Sequence, residues 1–231
     1  MADAEYGSGQ VNVVIESNHR IKNHLATIVA LAKKEAARIR SGPEMIRRED
    51  ALAFFESLGC KVAAIATLHK VLAAGGAQDR LSLADILERT LIPLGELYGD
   101  RLRVACSIAP QCRANAAQAS VLSLAFAEIV TNAMKYAHPT GLPVEISVLG
   151  TAQPDGWCVL EISDDGVGLP EGFEPDRDPG TGMQMVRYMV DSMGGVLKIA
   201  SDELGVSYTI AFESCSPLHQ EETPCLQERE S

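Results

Sequence analysis

From Val11 to Arg40 the chain contains neither proline nor glycine. Over that stretch Val11, Val14, Ile15, Ile21, Leu25, Ile28 and Val29 recur mostly at steps of three and four, the spacing that lines up one face of an α-helix. The pattern predicts one long amphipathic helix. Ser41-Gly42-Pro43 then gives a turn signal, and helical spacing resumes through Leu52, Phe55, Leu58, Val62, Ile65, His69 and Leu72. The two segments form an antiparallel hairpin. Two helices of this length cannot cover each other's apolar stripes, so a second copy is expected to complete a four-helix bundle, giving a homodimer. The competing arrangement docks the stripe on the rest of the same chain.

Ala73-Ala74-Gly75-Gly76-Ala77 reads as a linker, and the texture changes beyond it. A short helix from Ser82, its expected N-cap, to about Thr90 precedes a strand over 102–108 and a long apolar helix from about Ala116 to Tyr136. Strands follow at 144–149 and 157–162, then a helix over 183–193 and a hairpin at 196–200 and 206–212. Helices alternating with strands that pair largely as neighbours imply a two-layer α/β sandwich, with helices on one face of a mixed sheet. The expected division is 1–76 for the helical hairpin, 77–213 for the sandwich and 214–231 for a disordered tail rich in Glu, Pro and Gln.

Bulk properties exclude some functions. A net charge of −11 and a pI near 4.9 leave no basic footprint for general nucleic-acid binding, so any phosphate must be gripped locally. The first ten residues lack a signal-peptide pattern, and no run approaches the ~18 apolar residues of a membrane span. The six cysteines show neither CxxC nor metal-ligand spacing and read as reduced thiols of a cytoplasmic protein.

Three motifs point to nucleotide chemistry. Asp164-Asp165-Gly166-Val167-Gly168 follows a predicted strand, where a carboxylate can accept from an exocyclic amine while the glycines admit a flat ring. Gly180-Thr181-Gly182 opens the next helix, whose free N–H groups and positive dipole end favour a phosphate. In Glu128-Ile-Val-Thr-Asn132-Ala-Met-Lys135-Tyr136-Ala-His138, positions 128, 132 and 135 share one helical face. Polar groups on a buried helix are costly unless something polar meets them, and a metal-bound triphosphate would.

Together these motifs resemble the Bergerat ATP-binding fold shared by histidine kinases, gyrase-type topoisomerases and Hsp90-type chaperones. The resemblance implies that Asn132 ligates Mg²⁺, Asp164 reads the adenine amine, Lys135 and His138 lie near the phosphates, and Gly166, Gly168, Gly180 and Gly182 shape the pocket and its lid. A single amide ligand suits Mg²⁺, which keeps several waters and takes phosphate oxygens. On the first helix, Glu16-Ser-Asn-His19-Arg20-Ile-Lys22-Asn23-His24 is similar to the phosphoacceptor box of the His-Arg kinases related to the HWE group, as is Ile65-Ala-Thr-Leu-His69-Lys-Val-Leu72. The only tryptophan, Trp157, stands at the wrong spacing from Glu161 for the HWE group proper.

The resemblance implies an ATP-dependent histidine kinase that phosphorylates His19 and passes the phosphoryl group to an aspartate of a response-regulator receiver domain. Attack needs a neutral imidazole, the form that dominates near neutral pH. Glu16 and Asn23 sit three residues before and four after His19, beside the imidazole. Glu16 is expected to fix the attacking tautomer, and Asn23 to orient a water for phosphatase activity on the partner. His69 on the apolar stripe reads as a packed core residue, and His138 alternatively as a cation closing its helix. About fifteen residues precede Glu16, so either a separate sensory protein is expected to supply the signal or the sequence is the kinase core alone. The competing readings are a phosphotransfer adaptor with a degenerate ATP domain and a serine kinase; intact Asn132, Asp164 and glycines argue against the first, and the phosphoacceptor helix against the second.

Overall fold

The computed structural model describes residues 45–74, 80–173 and 181–215, with shorter stretches between 26 and 42. His19, Glu16, Asn23, His24, Gly180 and His219 lie outside the described residues, as do the side chains of His69 and Thr181. The described residues of the leading segment between Ala26 and Ser41 are helical. After the turn, α1 spans Arg48–Ala74 and carries no proline to break it.

Beyond the linker come β1 (Leu81–Ser82), α2 (Leu83–Tyr98), a single 3₁₀ turn, β2 (Leu102–Ile108), β3 (Arg113–Ala114) and α3 (Ala116–Tyr136). The chain continues through β4 (Val144–Ala152), β5 (Trp157–Asp164), α4 (Thr181–Ser192), β6 (Val196–Asp202) and β7 (Gly205–Glu213). The main sheet has the order β2-β4-β5-β7-β6. Only β2 and β4 run parallel; the other neighbours are antiparallel. The mixed sheet with packed helices is the two-layer sandwich that the alternation of elements implies.

Strand alternation sets the core. Val144, Ile146 and Val148 of β4, Cys158, Leu160 and Ile162 of β5, and Ile210 and Phe212 of β7 turn one face inward. Against it α3 places Leu122, Phe126, Ile129 and Val130, all almost fully buried. Period two on the strands and three-to-four on the helix therefore meet in one core.

The ends of α3 follow from local chemistry. Asn115 Oδ1 accepts from the Gln118 backbone N–H, and Gln118 Oε1 accepts from the Asn115 backbone N–H, both at 2.9 Å. This reciprocal capping box satisfies two donors that the first turn leaves open. Asn115→Ala is expected to lower the unfolding free energy by about 1 kcal/mol. Denaturant melts should show a lower midpoint with an unchanged slope.

One expectation is corrected here. The helix that begins after Ser82 runs to Tyr98, past Thr90 and straight through Pro93. Leu83, Ile86, Leu87, Thr90 and Leu94 continue one buried stripe, and burying that stripe outweighs the backbone bond that Pro93 cannot donate. The arrangement weighed against the bundle is present in α1, whose Ser57, Cys60, Lys61, Ala64 and Ile65 are buried and which packs on α2 and α3 of its own chain. Its opposite face, with Leu52, Phe55 and Val62, remains exposed. A helix with apolar residues on both sides can serve two neighbours, so docking within the chain leaves a stripe open for the bundle.

Candidate functional site

Four segments converge at one edge of the sandwich: the C-terminal half of α3, the loop after β5, the first turn of α4, and the turn joining β6 to β7. The loop is held by its own aspartate. Asp164 Oδ1 accepts from the backbone N–H of Gly166 at 3.0 Å and of Val206 at 3.3 Å, tying the loop to β7. Burial raises the Asp164 carboxyl above its ordinary range, the two backbone donors pull it back, and neighbouring Asp165 adds to the rise.

The glycines are required by close approach. A Cβ on Gly166 would press into Ala137, just past the end of α3, and Asp164 Oδ1, and one on Gly168 would strike the Asp202 carbonyl. Gly168 also has φ +75°, a region L side chains rarely adopt. Val167 donates its N–H to the Ala137 carbonyl at 3.0 Å, so the loop rests on the end of α3. Gly205 was not singled out in the sequence, yet it has φ +135° and its hydrogens face the Asp164 carbonyl, where a Cβ would collide. Ser201 was likewise missed: its hydroxyl accepts from the Leu169 N–H at 2.8 Å and anchors the loop to β6. The serine-to-glycine spacing of the hairpin Ser201-Asp202-Glu203-Leu204-Gly205 signals a turn but not what it touches.

On α3, Glu128 is buried, Asn132 half-buried, and Lys135 and Tyr136 exposed, so the face runs from the core to solvent. Asn132 therefore stands at the boundary between core and solvent. Among the described residues no group of three or more His, Cys, Asp and Glu side chains is arranged to hold a metal by itself. A cation here would draw on Asn132 and on oxygens of its ligand, the habit of Mg²⁺.

Glu128 meets a different partner from the one its spacing suggests. Its carboxylate forms an ion pair with Lys61 of α1, both side chains nearly excluded from water. Lys61 Nζ also donates to Ser57 Oγ at 2.8 Å, so the buried ammonium has a partner on its own helix as well as on α3. The same carboxylate lies where a Cβ of Gly182 would be, so the first turn of α4 packs directly on it. Tyr208, buried on β7, is pushed far above its usual range by burial, with the Asp164 and Glu128 carboxylates adding to the effect. His138 does not cap α3. Its Nε2 lies 3.1 Å from Asp165 Oδ1, which also accepts from the Glu145 N–H at 2.9 Å, so the imidazole braces the loop instead.

A mixed five-stranded sheet under helices, with an Asp-Gly-x-Gly loop, a glycine-opened helix and an asparagine on the long helix between them, defines an ATPase of the histidine kinase and gyrase class. Residues 117–215 match the family model described as "Histidine kinase-, DNA gyrase B-, and HSP90-like ATPase", and residues 16–98 match one described as "Histidine kinase". The chain belongs to the histidine kinases.

Two relatives are sensor histidine kinase PdtaS of Mycobacterium tuberculosis and blue-light-activated histidine kinase 2 of Erythrobacter litoralis. The first is 26% identical over 77% of this chain and 34% of its own length. The second is 24% identical over 93% of this chain and 59% of its own length. The chain thus spans about a third to three fifths of the relatives it matches. Among solved structures, the histidine kinase domain of the Erythrobacter litoralis EL346 blue-light-activated kinase superposes with a TM-score of 0.65. It is 20% identical, and the match covers 91% of this chain and 94% of that one. That likeness establishes the fold.

Proposed function

We propose that this chain is a histidine kinase core that moves the γ-phosphate of ATP to His19 and then to an aspartate on a response-regulator receiver domain. The observation that carries this reading is the convergence of Asp164, Gly166 and Gly168 with the Asn132 face of α3 and the first turn of α4. Asp164 offers an acceptor to the adenine amine, and the glycines let the ring lie against backbone. Asn132 would hold Mg²⁺, which offsets charge on the phosphate oxygens during transfer. Thr181 and Gly182 open α4, whose positive end suits a phosphate, and Lys135, Tyr136 and His138 lie at the solvent side of the same site.

The reaction forms an N–P bond at His19 and breaks the P–O bond to ADP. Glu16 fixes the imidazole tautomer, and Asn23 orients a water for dephosphorylation of the partner. Within this reading 1–76 is the dimerisation and phosphotransfer hairpin, 77–213 the catalytic domain and 214–231 a tail. The exposed stripe of Leu52, Phe55 and Val62 supports assembly with a second copy. No helix among the described residues is long and apolar enough to cross a membrane. The same reading puts the reaction in the cytoplasm, together with the receiver domain that takes the phosphoryl group.

The test is incubation with [γ-³²P]ATP and Mg²⁺ of the parent beside His19→Ala and Asn132→Ala. The parent should acquire acid-labile, base-stable label, and each variant should lose it by at least ~100-fold, the scale set by removing a transition-state contact or the nucleophile. Label that survives acid would mark a serine kinase, and absence of label in the parent a phosphotransfer adaptor.

A further inference from the structure

Lys61 belongs to the hairpin and Glu128 to the ATP-binding domain, yet their charges meet in a space almost closed to water. Burying an ammonium and a carboxylate is tolerated only while each compensates the other. Glu128 also fills the space beside Gly182, inside the first turn of α4. Free N–H groups and the positive dipole end attract an anion to such a turn, and here a carboxylate of the protein already lies against it. A nucleotide phosphate approaching that turn meets like charge.

The joint around the pair is continuous. Ile28 of the leading helix, Ile65 of α1, Val121 and Leu124 of α3, and Met185 and Met189 of α4 pack into one apolar cluster. A shift of α4 is therefore felt by both helices of the hairpin. We propose that the Lys61–Glu128 pair is a latch that holds α1 on the ATP-binding domain in the nucleotide-free chain. Nucleotide phosphates displace the Glu128 carboxylate from the first turn of α4, the pair breaks, and the hairpin is released. This regulation rests on the kinase reading above, and it makes docking of α1 and binding of nucleotide mutually exclusive.

Lysine acylation and amide hydrogen exchange, both read by mass spectrometry on the full chain, test the latch. Without nucleotide, Lys61 should be slow to acylate and the amides of 57–65 protected. Saturating Mg·AMP-PNP should speed both by at least about fivefold, because release converts a buried segment into a locally open one. Gly182→Ala, whose Cβ must push the Glu128 carboxylate aside, should give the same rise with no nucleotide present. Lys61→Gln should raise exchange over 57–65, and added nucleotide should then change it no further. Continued protection of Lys61 while calorimetry shows the site filled overturns the latch and leaves the kinase reading standing. Absence of any calorimetric binding removes the kinase reading and the latch with it. A Gly182→Ala chain that stays folded and fully protected also overturns the latch.

Discussion

Asp164→Ala is expected to weaken nucleotide binding by at least ~100-fold, with the sandwich still folded. The substitution removes the acceptor assigned to the adenine amine and leaves the N–H groups of Gly166 and Val206 without their bond. A ligand amine buried without its acceptor costs about 1–3 kcal/mol, and every 1.4 kcal/mol is a factor of ten in affinity, while the two stranded backbone donors lower the stability of the fold. Fluorescent ADP titration measures the loss. Asp164→Asn separates the two contributions, because its amide oxygen still accepts from both backbone donors. It should keep the parental melting temperature more closely than alanine does, while losing the charge that faces the amine.

The Asp164 carboxyl is raised by burial, so its proton returns at a higher pH than that of an ordinary carboxyl. Nucleotide affinity should then fall as pH drops through that raised value, since the protonated group has lost acceptor capacity. Asn at this position does not titrate and should flatten that limb. A parental profile as flat as that of the asparagine variant would show that the carboxylate does not contact the ligand.

The second large effect belongs to the core. Phe126 is fully buried where α3 crosses the sheet, among Leu122, Ile129 and Val130. Phe126→Ala should cost about 3–5 kcal/mol, combining lost transfer energy with the cavity left behind. For a marginally stable domain this is about a fifth to the whole of the total. Chemical denaturation should register it directly. Because Phe126 lies less than one turn before Glu128 on the same helix, nucleotide affinity should fall too, through displacement of α3 rather than loss of a contact.

Much of the site was legible because its pieces are contiguous in sequence. Asp164, Gly166 and Gly168 form one loop, and Glu128, Asn132 and Lys135 one helical face, so residue type and spacing were enough to group them. Gly205 and Ser201 escaped notice because what they contact, the carbonyl of Asp164 and the N–H of Leu169, lies more than thirty residues away in the chain. A tight hairpin turn looks the same in sequence whether it faces solvent or a binding loop. His138 shows the same limit: a cation at a helix end suggests a cap, but the nearer partner was Asp165 across the loop.

The helical hairpin was readable in outline and not in its docking. Its stripes fixed that α1 would be a helix with apolar faces. They did not say that Cys60, Ala64 and Ile65 would turn toward α2 and α3 while Leu52, Phe55 and Val62 stayed open. Nor did any local rule carry the α2 stripe past Pro93, since the cost of a proline is local and the gain from burying Leu94 is not.

Sequence by itself determined the elements and the chemistry each one carries, because hydrophobic period, turn residues and side-chain type act over a few neighbouring positions. Tertiary structure alone decided which of those groups face one another. It set the ammonium of Lys61 against the carboxylate of Glu128 across 67 positions of chain and backed that carboxylate onto Gly182. A buried charge takes whichever opposite charge the packing brings near, and packing depends on the whole core.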